Sequence, residues 1–239
     1  MLLELKDICF TRDNKKILDN VSLNIDSQKF IAITGPNGSG KSTIAKIIMG
    51  IEKADSGKII LDGQDITDMP INERAKLGIG FAFQQPVKFK GLTVYDLLKI
   101  AANKNITRKE ACECLAQVGL CAKEYVDREV NSSLSGGELK RIEIANIVLR
   151  QAKLTIFDEP EAGIDLWSFN NLIQVFESIR ENIKGTTIVI SHQERILKIA
   201  DEVILMRNGK IEKITTADEI LSEEVVEKQC CKLKNGGKE

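Results

Sequence analysis

The sequence predicts an α/β fold on a mostly parallel sheet, with an antiparallel β subdomain toward the N-terminus and a helical insertion. Three observations carry that prediction. Short β-branched runs alternate with helix-period segments, as buried strands and their crossover helices do. The turn pairs Asp62–Gly63 and Asn208–Gly209 mark two hairpins that frame this alternation. Between Gln85 and Leu134 the β-branched runs stop and helical sequence takes over.

Taken in order, "KFIAITG" is an apolar run closed by glycine, the pattern of a strand buried on both faces. It leads into "KSTIAKIIMGI", where Ile44, Ile47, Ile48 and Ile51 follow the i, i+3, i+4, i+7 spacing of an amphipathic helix. "KIILDGQDI" is the first hairpin. The insertion contains "TVYDLLKIAANK" and "TRKEACECLAQVGL", both helical in pattern. "LTIFDE" and "TTIVIS" are further buried strands, with the helical "SFNNLIQVFESIR" between them, and "EVILMRNGKIEKI" is the second hairpin. Beyond Thr216 the chain is helical in pattern and highly charged, ending in a frayed "KNGGKE".

A chain of 239 residues, 43% hydrophobic and with a formal charge of −1, buries a substantial core. Its charge balance gives no reason to expect nucleic acid or an anionic membrane as a partner. No apolar run approaches the roughly 20 residues of a membrane-spanning helix. The opening "MLLELKDICF" lacks the marks of a signal peptide, so a cytoplasmic location is expected, with membrane contact only through a partner. The six cysteines fit reduced thiols. Cys112 and Cys114 point to different helix faces, and Cys230 and Cys231 are adjacent in the charged tail, so neither group makes a good ligand pair.

The segment Gly35, Pro36, Asn37, Gly38, Ser39, Gly40, Lys41, Ser42 matches G-x-x-x-x-G-K-[ST] in full, after an apolar strand and before a helix. Its glycines let several N–H groups face one anion, and the helix N-terminus adds positive potential. Lys41 is expected at the β- and γ-phosphates of a nucleoside triphosphate, Ser42 on Mg²⁺ and Thr43 at the α-phosphate. In "LTIFDEPEAGID", Asp158 and Glu159 end a strand, where ligands bind in parallel sheets. Alone, that pair also fits an exposed acidic turn. Beside a complete phosphate loop it reads as a Mg²⁺ carboxylate followed by a general base for water. Ser135, Gly136 and Gly137 precede a helical run and serve either as a cap or as an anion site. His192, the single histidine, ends "TTIVIS" on that same sheet edge. It is either a satisfied core residue or a donor to phosphate and water.

"GPNGSGKS", "FQQP", "LSGGE", "TIFDEP", "AGID" and "ISHQ" occur in the order found in ABC-type ATPases, and the chain resembles that family over nearly its whole length. The resemblance implies a P-loop NTPase (RecA-like) core in a single ABC ATPase domain. Residues 1–84 and 141–215 would form the α/β core with its β subdomain, 85–140 the helical subdomain, and 216–239 a charged tail. It implies ATP and Mg²⁺ as ligands. Gln84 would link Mg²⁺ and water to the helical subdomain, and His192 would be a switch histidine near the γ-phosphate. Ser135, Gly136 and Gly137 would close over ATP on a second copy in an ATP-dependent homodimer, with Asp165 in the loop that crosses the dimer interface. Glu138 stands where many transporter ATPases have glutamine. Arg12 stands where many members carry an adenine-stacking aromatic, leaving Phe10 or Arg12 as substitutes.

"AFQQPVKFKGLTV", "SGGELKR", "DEPEAGID" and "SHQERILKIAD" look most like the SufC-like branch. That likeness implies a soluble ATPase dimer that remodels a SufB/SufD-like scaffold in iron–sulfur cluster assembly. The alternative is the cytosolic ATP-binding subunit of a membrane ABC transporter. A third reading, an ATP clamp without turnover, is opposed by the intact Glu159 and His192.

Overall fold

The computed structural model describes residues 1–102, 104–131, 133–182 and 185–222. Their principal elements are β1 (Leu3–Arg12), β2 (Lys15–Ile25), β3 (Phe30–Thr34), α1 (Lys41–Met49), β4 (Ser56–Leu61), β5 (Gln64–Asp65), α2 (Ile71–Lys76), β6 (Ile79–Ala82), α3 (Val94–Ala102), α4 (Arg108–Gln117), α5 (Ala122–Tyr125), α6 (Gly136–Arg150), β7 (Leu154–Asp158), α7 (Leu166–Asn182), β8 (Thr186–Ile190), α8 (Glu194–Ile199), β9 (Glu202–Arg207) and β10 (Lys210–Thr215).

Two sheets result. The N-terminal one is antiparallel, in the order β2-β1-β4-β5. The second runs β10-β9-β3-β8-β7-β6 and is parallel except for its edge strand β10. Both hairpin turns have the positive φ at each central residue that a two-residue turn demands, at Asp62 and Gly63 and again at Asn208 and Gly209.

The three central strands β3, β7 and β8 are buried at every residue, as their β-branched runs predict. Their alternating side chains feed two cores. Ile31, Ile33, Ile156, Ile188 and Ile190 face α1 and the antiparallel sheet. Phe30, Phe157 and Val189 face the helical side, where Phe176 of α7 meets both phenylalanines edge-on at 6.0 and 5.1 Å. The α/β expectation with an N-terminal antiparallel sheet therefore holds.

Helix α1 corrects one sequence reading. Gly50 takes a left-handed conformation (φ 83°) and returns its N–H to Lys46 and Ile47, which ends the helix at Met49. Ile51 is thus outside the helix and 37% exposed, and the apolar stripe stops at Ile48. The buried Arg74 guanidinium also caps this end, donating to the carbonyls of Ile47 (2.7 Å) and Ile48 (2.9 Å) as well as Thr67 and Met69.

Helix α6 runs continuously through residues 140 and 141, packing on α3, α4 and β6, and so joins the helical segment to the sheet. The tail turns helical from Ala217 to Ser222, and Cys230 and Cys231 lie outside the described residues.

Candidate functional site

The loop between β3 and α1 needs glycine at two places. A Cβ on Gly35 (φ 137°) would sit 2.0 Å from the Met206 carbonyl oxygen, and one on Gly40 (φ 101°) would sit 2.5 Å from Leu18 Cδ2. Gly40 lies immediately before α1, a helix with no acidic residue in its first turn, so the helix itself sets no carboxylate against an anion at its N-terminus. Lys41 is 5% exposed and donates to the carbonyls of Gly35 (2.7 Å) and Pro36 (3.1 Å). Burial lowers the pKa of its ammonium, while Glu159 and Asp158 act to raise it. The buried Ser39 hydroxyl has no hydrogen-bond partner among the described residues. The loop thus holds a cation and a polar donor that an incoming anion can satisfy.

At the end of β7, Asp158 Oδ1 accepts a hydrogen bond of 2.8 Å from Ser42 Oγ. Burial pushes the pKa of Asp158 up, the Ser42 bond opposes that, and Glu159 adds to it. A hydroxyl and a buried carboxylate in contact form a hard-oxygen donor pair suited to Mg²⁺, which would repay the cost of keeping Asp158 ionised. Among the described residues no group of three or more His, Cys, Asp or Glu could hold a metal without help from a ligand.

Glu159 has φ 45°, a left-handed conformation unusual for a non-glycine residue, and its N–H donates to Ile190 O on β8. Its Oε2 accepts from Gln84 Nε2 at 2.7 Å. Asn37, Gly38, Gly40, Lys41, Ser42, Thr43, Gln84 and Glu159 all line one cleft of about 430 Å³. Residues 75 positions apart in sequence therefore meet in one place.

Lys15 and Ile17 also line this cleft, and sequence reading missed both. Neither Phe10 nor Arg12, the residues offered for adenine stacking, lines this cleft. Phe10 is buried, and Arg12 lies over the Phe10 ring while pairing with Glu52. The only prior signal for Lys15 and Ile17 is their place on β2, whose hairpin with β1 brings them toward the loop.

Ser135, Gly136, Gly137, Asp165 and His192 do not line the cleft. Ser135 caps α6 in a reciprocal box: its hydroxyl accepts from Glu138 N, and Glu138 Oε2 accepts from Ser135 N at 2.7 Å. Glu138 is also held by the Tyr125 hydroxyl. A Cβ on Gly136 or Gly137 would meet nothing within 4 Å, so nothing inside this chain requires glycine there. His192 is exposed at the end of β8, so the core alternative for it falls. Just before it, the buried Ser191 donates to Glu161, a carboxylate absent from the sequence reading. Cys114 is a buried thiol pushed up to about 11 by desolvation, consistent with packing rather than reactivity.

Residues 18–162 match the family described as ABC transporter. The uncharacterized ABC transporter ATP-binding protein MJ0035 of Methanocaldococcus jannaschii is 40% identical over 97% of this chain and 95% of its own length. The spermidine/putrescine import ATP-binding protein PotA of Mesoplasma florum is 33% identical over 93% of this chain, which spans 63% of that protein. Among solved structures, the dimeric post-hydrolysis state of the ATP-binding cassette MJ0796, bound to ADP and Pi, superposes with a TM-score of 0.79 at 26% identity, covering 90% of this chain and 99% of that one. The names of these relatives are those of transporter ATP-binding proteins, and they lend no support to the expected SufC-like assignment or to a SufB/SufD-like partner. The cleft, the order of its motifs and these relatives lead to one conclusion: the chain belongs to the ABC transporter family and is an ABC-type ATPase.

Proposed function

We propose that this chain is the ATP-hydrolysing subunit of a membrane transporter, working at the cytoplasmic face as an ATP-dependent homodimer. The observation that carries the reading is the convergence of two pairs, Ser42–Asp158 and Gln84–Glu159, beside the Lys41 loop. Lys41 leaves the Gly35 and Pro36 carbonyls for phosphate oxygens, and the loop N–H groups complete the anion's shell. Ser42 and Asp158 are the residues that would hold Mg²⁺, which when bound neutralises charge on the phosphates. Glu159, oriented by Gln84, takes the proton of the attacking water. His192 donates to the γ-phosphate side. The second copy supplies Ser135, Gly136 and Gly137 over the nucleotide, with Asp165 near the crossing of the two chains.

The names of MJ0035 and PotA support the transporter assignment. Exposed Phe83, Val87 and Phe89 flank Gln84 and offer an apolar surface to a partner. Among the described residues no helix is long and apolar enough to cross a membrane, so the membrane part of such an assembly would come from elsewhere. The SufC-like reading rests on a different observation, the segments "AFQQPVKFKGLTV", "SGGELKR", "DEPEAGID" and "SHQERILKIAD".

Two experiments test this. Glu159→Gln is expected to bind ATP as the wild type does and to lose hydrolysis by about 100-fold or more; near-wild-type turnover would overturn the general-base role. Affinity capture of the native complex should recover a multi-span permease. Recovery of a soluble scaffold carrying an iron–sulfur cluster would replace the transporter assignment with the SufC-like one.

A further inference from the structure

Lys140 is 1% exposed, among the largest fully buried side chains of the described residues. It sits on α6, one turn beyond Ser135, and its ammonium lies 3.1 Å from Glu143 Oε2 in an ion pair. The pair does more than neutralise itself. Lys140 Nζ donates to the carbonyl oxygen of Phe83, and Glu143 Oε1 accepts from the N–H of the same residue at 3.0 Å. Both backbone polar groups of Phe83 are therefore held by charged atoms of one helix. The next residue is Gln84, whose amide holds Glu159 at 2.7 Å. An unbroken line of contacts runs from the capped end of α6 to the carboxylate in the phosphate cleft.

Stability does not account for this arrangement. Two apolar residues of like volume serve a buried site as well as an ion pair or better, because desolvation consumes most of the Coulomb gain. What the charged pair adds is direction: it fixes one peptide unit at two points, through charge-assisted hydrogen bonds. Burial pushes the pKa of Glu143 up, while the Lys140 charge and the Phe83 N–H pull it down.

We propose that Lys140 and Glu143 are positioning residues for ATP hydrolysis. They clamp the Phe83 peptide and so set where Gln84 presents its amide to Glu159. The proposal rests on the assignment of Gln84 and Glu159 to the hydrolytic site.

The test is a set of variants of the full chain: Lys140→Met, Glu143→Leu and both together, each also in a Gln84→Ala background. Each is measured for ATP turnover, KM and melting temperature. Each single change leaves a buried charge alone and lowers the melting temperature. The double change removes both charges and restores the melting temperature close to wild type. Its kcat is expected to stay about tenfold or more below wild type, with KM within about twofold. With Gln84→Ala already present, the double change should alter kcat by less than about twofold, since both act through one group. Wild-type kcat in the stable double variant overturns the proposal, as does a full further loss in the Gln84→Ala background. Wild-type kcat in Gln84→Ala alone refutes the site assignment itself, and with it the proposal. If the double variant does not fold, the single variants decide at a temperature where they stay folded: Glu143→Leu lowers kcat at constant KM while Glu143→Gln, which keeps an acceptor for the Phe83 N–H, retains most of it, and wild-type kcat in Glu143→Leu refutes the clamp.

Discussion

Asp158 is held where ionisation is costly, 4% exposed and beside Glu159. Its pKa is therefore above the ordinary carboxylate value in the native chain, whereas in the unfolded chain it returns to that value. Between the two values the native state binds more protons than the unfolded state, so this group's contribution to stability falls as pH rises through that window. Asp158→Asn removes the penalty. Without nucleotide, melting curves of the two proteins should coincide below the ordinary carboxylate range and separate above it, with the variant the more stable. A variant less stable than wild type at neutral pH would contradict this. Glu143 and Glu161 are raised by burial too, but they are common to both proteins and cancel. The phosphate loop and the Asp158–Glu159 pair were legible in sequence because their residue types are dictated by chemistry at fixed spacing. Lys140 and Glu143 were not legible: an i,i+3 charge pair in "ELKRIEIAN" reads as a solvated face, and its hydrogen bonds go to Phe83, just past β6 and 57 residues away from Lys140 in sequence.

Among elements, α6 ties the most together. Its first residues, Gly136 and Gly137, are unfavourable for a helix by up to about 1 kcal/mol each relative to alanine, yet their surroundings leave room for a side chain. Gly136→Ala should leave unfolding stability unchanged or raise it by up to about 1 kcal/mol, while ATP turnover falls about tenfold or more if a second copy approaches there as proposed. Denaturant melts and a turnover assay on the same preparation check both halves; unaltered turnover would remove Gly136 from the shared site. Strands β3, β7 and β8 were legible because both faces are covered, leaving short, mostly apolar runs rich in β-branched residues. Strand β6 was not, since "IGFA" is four residues with glycine inside. The alternation of β1 is broken by register shifts after Leu5 and Ile8, with Asp7 at φ 52°, so its period fails locally although the strand is ten residues long.

For the whole molecule, the decisive fact is that part of the motif set lies away from the cleft. Ser135, Gly136, Gly137 and Asp165 do not line it within one chain, and the similar cassette MJ0796 is a dimer in its solved structure. Sedimentation of Glu159→Gln should show a monomer with ADP and a dimer with ATP; a monomer under both conditions would refute the shared site. Such a dimer must not have to dismantle α6 in order to form, and the cap on that helix bears on this. A hydroxyl carries two lone pairs and one proton: Ser135 spends a lone pair on Glu138 N–H, and its proton faces the Glu138 carboxylate. Turning that proton to another acceptor leaves the N–H cap in place. The helix can stay capped while the same oxygen donates to a phosphate across the interface, so assembly and release need not melt a turn of backbone. An aspartate at 135 would cap equally well but has no proton to offer and would repel the nucleotide, which separates the two duties of one atom.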